Sequence, residues 1–203
     1  MHIALIGASG QAGARILQEL ARRGHSVTAI ARDPASIAAA PGVTAVAGDL
    51  FDQAALAERL AGHAAVISAV HFTASDPEKL IGAVRQAGVP RYLVVGGAGS
   101  LEVAPGKRLL DSPDFPAAYR AEAEGGAAFL ARLRQEEALD WTFLSPSADF
   151  HAGERTGRFR LGTDQLLVAA DGRSHISFED FAVALVDEVE APRHSRARFT
   201  VGY

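Results

Sequence analysis

Cysteine is missing altogether from this chain of 203 residues, and methionine and tryptophan occur once each. A disulfide framework, a thiolate metal site and a cysteine nucleophile are therefore excluded, and a chain without disulfides fits a reducing compartment. Charge of either sign is scarce in excess: the formal balance is −4 with histidines neutral. That balance does not suggest a nucleic-acid or membrane-surface partner, since both usually need a basic face. No apolar run approaches the roughly 18 residues of a membrane span. The N-terminus has no basic stretch leading through an apolar one to a cleavage site. The expectation is a soluble, cytoplasmic protein with no nucleic-acid or membrane partner, a monomer or homodimer acting on a small molecule.

What is present is apolar residue in quantity, 48% of the chain, enough for one sizeable core. Apolar runs alternate with helical patterns: strands at 3–6, 27–31, 43–47, 65–70, 91–97 and 140–146, and helices at 11–23, 52–61, from Asp76-Pro77 to Gly88, and 117–138. Gly125-Gly126 would interrupt or indent the last of these. Residues 98–116, rich in turn formers, read as a loop. The tail reads as a short strand near 166–169, a helix from Phe178 to about Val189 and a strand near 198–201. Alternation of this kind predicts right-handed βαβ units, hence an α/β, Rossmann-type doubly wound parallel sheet. No linker or repeat divides the chain, so residues 1–203 read as one domain with a small C-terminal extension. Ligands of such sheets sit beyond the carboxyl ends of the strands.

The most informative stretch is IALIGASGQAGARILQEL, residues 3–20. Gly7 permits a tight turn after the strand, Gly10 lets backbone approach a pyrophosphate, and Gly13 lets helix pack on strand. The bare amides and partial positive charge of the helix mouth attract an anion. The spacing is G-x-x-G-x-x-G, a variant of the dinucleotide fingerprint, in the strand–turn–helix context that supports it. No Gly-Lys-Ser/Thr follows, so this is not a P-loop. At the end of the second strand Arg32 suits the 2′-phosphate of NADP through paired charged hydrogen bonds, while Asp33 beside it suits the 2′-hydroxyl of NAD. Asp49, at the end of the third strand, either accepts from the adenine amino group or caps the next helix.

Together these features resemble the short-chain dehydrogenase/reductase superfamily, and within it the atypical branch of small NAD(P)H-binding proteins that includes NADH-flavin reductase-like, biliverdin-IXβ reductase-like and NmrA-like members. The resemblance is carried by GASGQAG (7–13), GDL (48–50), VVGGAGSLEVAPG (94–106), DWTFLSPS (140–147) and SFEDFAVALVDEVE (177–190). It implies that Gly7, Ser9, Gly10, Gln11, Ala12 and Gly13 contact the pyrophosphate and Arg32 the 2′-phosphate. Asp49 and Leu50 would face the adenine, and Ser68, Ala69 and Val70 would pass beneath the ribose and nicotinamide. Gly96 and Gly97 would stand where typical members carry a catalytic serine, and Ser145, Pro146 and Ser147 would close over the nicotinamide.

This chain departs from the typical Tyr-x-x-x-Lys pair, because Tyr119 is followed four residues on by Ala123, and Arg120 projects elsewhere on the helix. Hydride transfer to a flavin, quinone or similar planar acceptor needs no such relay. The expected activity is therefore reduction of such an acceptor by NADPH, or by NADH, with a flavin as a possible substrate. Two alternatives stay open: an NmrA-like protein that senses NADP without turnover, and an epimerase- or dehydratase-like enzyme using Tyr119. Tyr119 and His71 are the candidate acids, read against plainer roles: an aromatic packed beneath loop 98–116, and a solvated histidine at the crevice edge. Phe72, Phe150 and His151 are candidate acceptor walls or plain packing. Ser145 and Ser147 either bond the carboxamide or satisfy turn backbone. Trp141 reads as core or rim, and no histidine–carboxylate grouping has the spacing of a metal site.

Overall fold

The computed structural model describes all 203 residues. Eight strands form one sheet, whose first five in the chain are β1 (His2–Ile6), β2 (Ser26–Ala31), the edge strand β3 (Val43–Ala47), β4 (Ala65–Ser68) and β5 (Arg91–Val95). Two strands follow in the excursion after β5, β6 (Glu102–Ala104) and β7 (Lys107–Arg108). The chain then adds β8 (Asp140–Pro146), β9 (Asp149–His151), β10 (Arg160–Gly162), β11 (His175–Ser177) and β12 (Ala197–Gly202). The sheet order is β10-β12-β8-β5-β4-β1-β2-β3, parallel throughout except β10, which runs antiparallel on the β12 edge. The order reverses between β1 and β4, whose carboxyl ends form the crevice where doubly wound sheets bind ligands.

Helices cover both faces, which is why the central strands read as continuous apolar runs. One face carries α1 (Gln11–Arg22) and α5 (Phe178–Glu190); the other carries α2 (Gln53–Leu60), α3 (Pro77–Gln86) and α4 (Ala117–Leu133). From α1, Ile16, Leu17 and Leu20 are buried against Phe181 and Leu185 of α5 and the sheet. At about 1.5–3 kcal/mol per buried side chain, those three contribute roughly 5–9 kcal/mol before conformational entropy is subtracted. Asp52 caps α2 through Ala55 N–H, Asp76 caps α3 through Glu78 and Lys79 N–H, and Ser177 caps α5 through Asp180 N–H. Only α1 begins on a glycine, Gly10, with no side chain across its amides, and α4 begins on Pro116.

Several expectations are corrected. The strand expected at 166–169 is absent; β10 lies earlier, and Gln165 makes only an isolated bridge to Glu102. Leu166 N–H binds the Glu102 carbonyl, so this run is tied to the β6–β7 hairpin rather than to the sheet. That hairpin sits inside the region expected to be loop. Helix α4 ends at Leu133, five residues early: Glu136 binds Ala138 N–H and takes the Trp141 indole N–H on its carbonyl. Gly125-Gly126 do not interrupt α4. They form a socket for Phe72, whose ring carbons would lie 2.9 Å from a Cβ at Gly126. Trp141 is core.

Candidate active site

The carboxyl end of β1 turns on Gly7, at φ +81°, where a Cβ would sit 2.3 Å from the Ala69 carbonyl oxygen. A Cβ at Gly13 would sit 2.1 Å from the Gly7 carbonyl oxygen. Both glycines are thus required by the chain's own packing. Gly10 is different: its backbone is extended (φ −72°, ψ 167°), and a Cβ there would meet nothing nearer than 3.4 Å. A side chain at Gly10 would make only ordinary contacts, with the Gly7 and Ala69 carbonyl oxygens, and no side chain caps the start of α1 there. Ser9 and Gln11 are exposed at the same mouth, while Ala12 leans into the core. This cradle fits a diphosphate, which needs backbone N–H donors and no obstructing side chain.

Along the crevice, Arg32 is exposed at the end of β2 and enters no ion pair. Asp33 instead caps the turn that follows, accepting from Ala35 N–H at 3.0 Å. Asp49 accepts from Phe51 N–H at 2.9 Å, and it is Asp52 that caps α2, so Asp49 keeps an oxygen free. Leu50 packs on the core edge. Ala69 and Val70 abut the glycine loop through the Ala69 carbonyl and the Val70 side chain.

Several hydroxyls are committed inward. Ser68 is buried against the Tyr92 hydroxyl at 2.9 Å, and burial pushes the Tyr92 phenol upward. Ser147 is buried and donates to the Val201 carbonyl at 3.1 Å, so it serves backbone as its plainer reading held. Ser145 is fully buried at the end of β8, and its hydroxyl has no hydrogen-bond partner. An orphan of this kind costs about 1–3 kcal/mol, and it is the one unused donor at this strand end. Pro146 completes β8 beside it.

Gly96 could carry no serine, because a Cβ would lie 2.3 Å from the Phe143 ring. Gly97 is roomier, with only Phe72 at 3.8 Å. Ser100, the nearest serine, takes a hydrogen bond from buried Arg198 at 3.2 Å and holds the excursion to β12. Tyr119 is 67% exposed, so it is not the packed aromatic that the sequence led one to expect. Arg120 donates to the Leu110 carbonyl and lies over Phe115, away from Tyr119. Phe150 packs on Phe178 and Phe181 at 4.5 and 4.8 Å, and Phe72 packs near Phe129 and Phe143, so both are packing residues. His151 lies 3.4 Å from Asp149 and stacks 6.0 Å from His175. No group of three metal-ligating side chains occurs.

Two arrangements were not foreseen. Glu122 of α4 grips the loop after β4: it accepts from Phe72 N–H (2.8 Å), Thr73 N–H (3.0 Å) and the Thr73 hydroxyl (2.8 Å), with His71 Nδ1 at 3.3 Å. Burial alone would raise the Glu122 carboxyl, but the donors on Thr73 and Phe72 outweigh it and hold it below the usual range. The only signal for the contact was the Gly-Gly pair one turn further on. Segment 152–158 is strapped across α1 and α5 by three carboxylates and one hydroxyl donor. Gly153 N–H binds Glu179, Arg155 makes two bonds to Glu19, Thr156 and Gly157 bind buried Asp180, and Ser177 donates to the Glu154 carbonyl. Asp180 also receives the Tyr203 hydroxyl at 2.8 Å, so it anchors this strap rather than returning to Ser177 as in a capping box.

The NAD(P)H-binding family profile matches residues 7–192. YwnB of Bacillus subtilis, itself of uncharacterised function, is 43% identical over 99% of this chain and 98% of its own. A crystal structure from Bacteroides thetaiotaomicron, provisionally named an epimerase, superposes with TM-score 0.95 at 42% identity, covering 100% of this chain and 96% of that one. One from Streptococcus pneumoniae, provisionally named an NADH-flavin reductase, gives TM-score 0.86 at 40% identity over 100% and 99%. No helix is long and apolar enough to cross a membrane.

Proposed function

The chain belongs to the NAD(P)H-binding family, and from that premise we propose that it is a reductase, preferring NADPH, that passes hydride to a flavin, quinone or similar planar acceptor. The observation that carries the reading is Gly10, an exposed glycine that packing does not require, at the uncapped start of α1 in a loop whose other two glycines are consumed by packing. Gly7, Ser9, Gly10, Gln11, Ala12 and Gly13 would hold the diphosphate, Arg32 the 2′-phosphate, and Asp49 and Leu50 the adenine. Ala69, Val70, Gly97 and the free Ser145 hydroxyl would flank the nicotinamide end. When bound, the reduced nicotinamide supplies the hydride.

The preference for a planar acceptor follows from what the crevice cannot do. A serine has no room at Gly96, Ser100 is held by Arg198, and Tyr119 has no lysine four residues on. Ketone reduction by a serine–tyrosine–lysine relay lacks its parts; stacking an acceptor against the nicotinamide needs none of them. The preference for NADPH is supported by Arg32, exposed at the end of β2 without a carboxylate partner, while one oxygen of Asp33 is taken by Ala35 N–H.

The test is purified protein with NADPH or NADH and FMN, riboflavin or a benzoquinone, followed by loss of the reduced-nicotinamide absorbance. Acceptor-dependent oxidation, faster with NADPH, is the expected result. Tight NADPH binding with no oxidation by any acceptor would refute the reductase and leave the sensor. Turnover abolished by Tyr119→Phe with unchanged cofactor affinity would return the acid role to Tyr119.

A further inference from the structure

The loop after β4 is held more firmly than its exposure requires. Phe72 fills the socket formed at Gly125 and Gly126, and Glu122 binds both backbone amides that follow His71. One group of the loop stays outside this arrangement, the His71 imidazole. Its side chain is 83% exposed, its Nδ1 is directed at Glu122 Oε1, and its Nε2 has no partner. His71 directly follows Val70, whose side chain approaches Gly7, so the loop that carries the ring leaves the carboxyl end of β4 at the crevice beside β1.

We propose that His71 delivers, from Nε2, the proton that completes reduction of the acceptor, and that Glu122 is the positioning residue that fixes the ring's tautomer. This rests on the reductase reading above and names the acid that reading leaves open. Of the other hydroxyls at these strand ends, Ser68 is held by Tyr92, Ser147 by the Val201 carbonyl and Ser100 by Arg198, while Ser145 is unpartnered but fully buried, with no solvent to resupply a proton. Glu122 is the only ionisable side chain within ion-pair distance of His71; Tyr119 stands one helical turn earlier on α4, and Asp76 of the same loop is bound to the amides of Glu78 and Lys79. A carboxylate held ionised by three other donors accepts Nδ1–H in either charge state of the ring, so that Nε2 alone gains and loses the proton.

The balance is simple for a quinone. The acceptor gains a hydride, one hydrogen with two electrons, and the nicotinamide is left oxidised. The hydroquinone oxyanion then takes the proton as the Nε2–H bond breaks, and neutral imidazole, still bound to Glu122 through Nδ1–H, regains a proton from solvent.

The experiment has two arms. His71→Ala, at an exposed position, keeps the fold and its NADPH affinity, lowers kcat with a benzoquinone about 10²-fold, and regains activity when imidazole is added, in proportion to the imidazolium present. Nitrogen-15 NMR of the wild-type protein above neutral pH finds the neutral His71 ring protonated at Nδ1, and Glu122→Gln abolishes that tautomer and lowers kcat while leaving NADPH affinity in place. An unchanged kcat in His71→Ala, or indifference to imidazole, overturns the proposal, as does a wild-type ring protonated at Nε2. That last result is decisive even should Glu122→Gln fail to fold. Absence of turnover in the wild type with the Nδ1 tautomer intact overturns the reductase reading, and the proton donor with it.

Discussion

Replacing Gly10 with alanine separates a fold requirement from a ligand requirement. In the folded protein the added methyl meets the Gly7 carbonyl at 3.4 Å and the Ala69 carbonyl at 3.8 Å, ordinary contacts, on a backbone that any residue adopts. Alanine at the start of a helix is worse than glycine by roughly 0.5 kcal/mol, while the unfolded chain loses entropy worth about 0.4–1 kcal/mol in favour of folding. These nearly cancel, so the apoprotein's Tm should move by no more than about 2 °C for a domain of this size. Binding should not escape so easily, because the methyl projects where the diphosphate would lie. A tenfold loss of affinity is the smallest effect that reading allows. At a concentration 100 times the wild-type Kd, NADPH stabilises the wild type by about 2.7 kcal/mol and a tenfold-weakened variant by about 1.4 kcal/mol. Thermal unfolding with and without NADPH should therefore show an unshifted apo transition and a ligand-induced rise cut to about half. Gly7→Ala and Gly13→Ala are the controls. Their methyls overlap backbone oxygens at 2.3 and 2.1 Å, and Gly7 has positive φ, so both should unfold the protein or destabilise it by several kcal/mol. A full ligand-induced shift in Gly10→Ala would refute the placement of the diphosphate at this mouth.

Two further outcomes follow from single side chains. Arg32→Ala should weaken NADPH by about 1.5–3 kcal/mol, the worth of a charged hydrogen bond, and leave NADH unchanged in a fluorescence titration; equal loss for both would remove the 2′-phosphate assignment. Glu19 is held down to about 2, chiefly by its hydrogen bonds from Arg155 and then Arg23, which exceed the opposing effect of burial. A folded-state value below the unfolded one contributes stability that is full above about pH 5 and is lost as pH falls toward 2. The full shift corresponds to about 3 kcal/mol, reduced by solvent at partly exposed Arg155. Glu19→Gln should thus flatten the acid limb of stability against pH by about 1–3 kcal/mol; an unaltered limb would show that the strap is not pinned by this pair.

The parallel strands were legible because burial on both faces leaves an apolar run with nothing else to explain it. β8 begins and ends where the sequence places it, as does β3 although it is a half-exposed edge strand, and Asp76-Pro77 marks the start of α3. The tail was misread for the converse reason. Leu166-Leu167-Val168 is an apolar run of the same kind, but Leu166 spends its amide on Glu102 in a hairpin more than sixty residues away, and the edge strand is built from Arg160, Leu161 and Gly162, which carry no such run. An edge strand needs only one apolar face and one partner, so its signal is weak where its contacts are distant.

The same division runs through the site. The glycines were found because their chemistry is local: a turn, a close approach and a helix mouth lie within seven residues. Their individual roles were not local. That Gly7 is required by packing depends on Ala69, brought alongside by the pairing of β1 with β4, and that Gly13 is required while Gly10 would tolerate a Cβ depends on how the loop folds back on the Gly7 carbonyl. Glu122 offers the sharper case. In sequence it is one of several exposed-looking acids on an alanine-rich helix; in space it binds a loop fifty residues earlier. The two glycines that follow it were legible as an oddity within that helix. They read as an interruption because the residue that fills them, Phe72, belongs to another crossover, so the helix's apparent weakness is the place where the loop carrying His71 is fastened to the crevice wall.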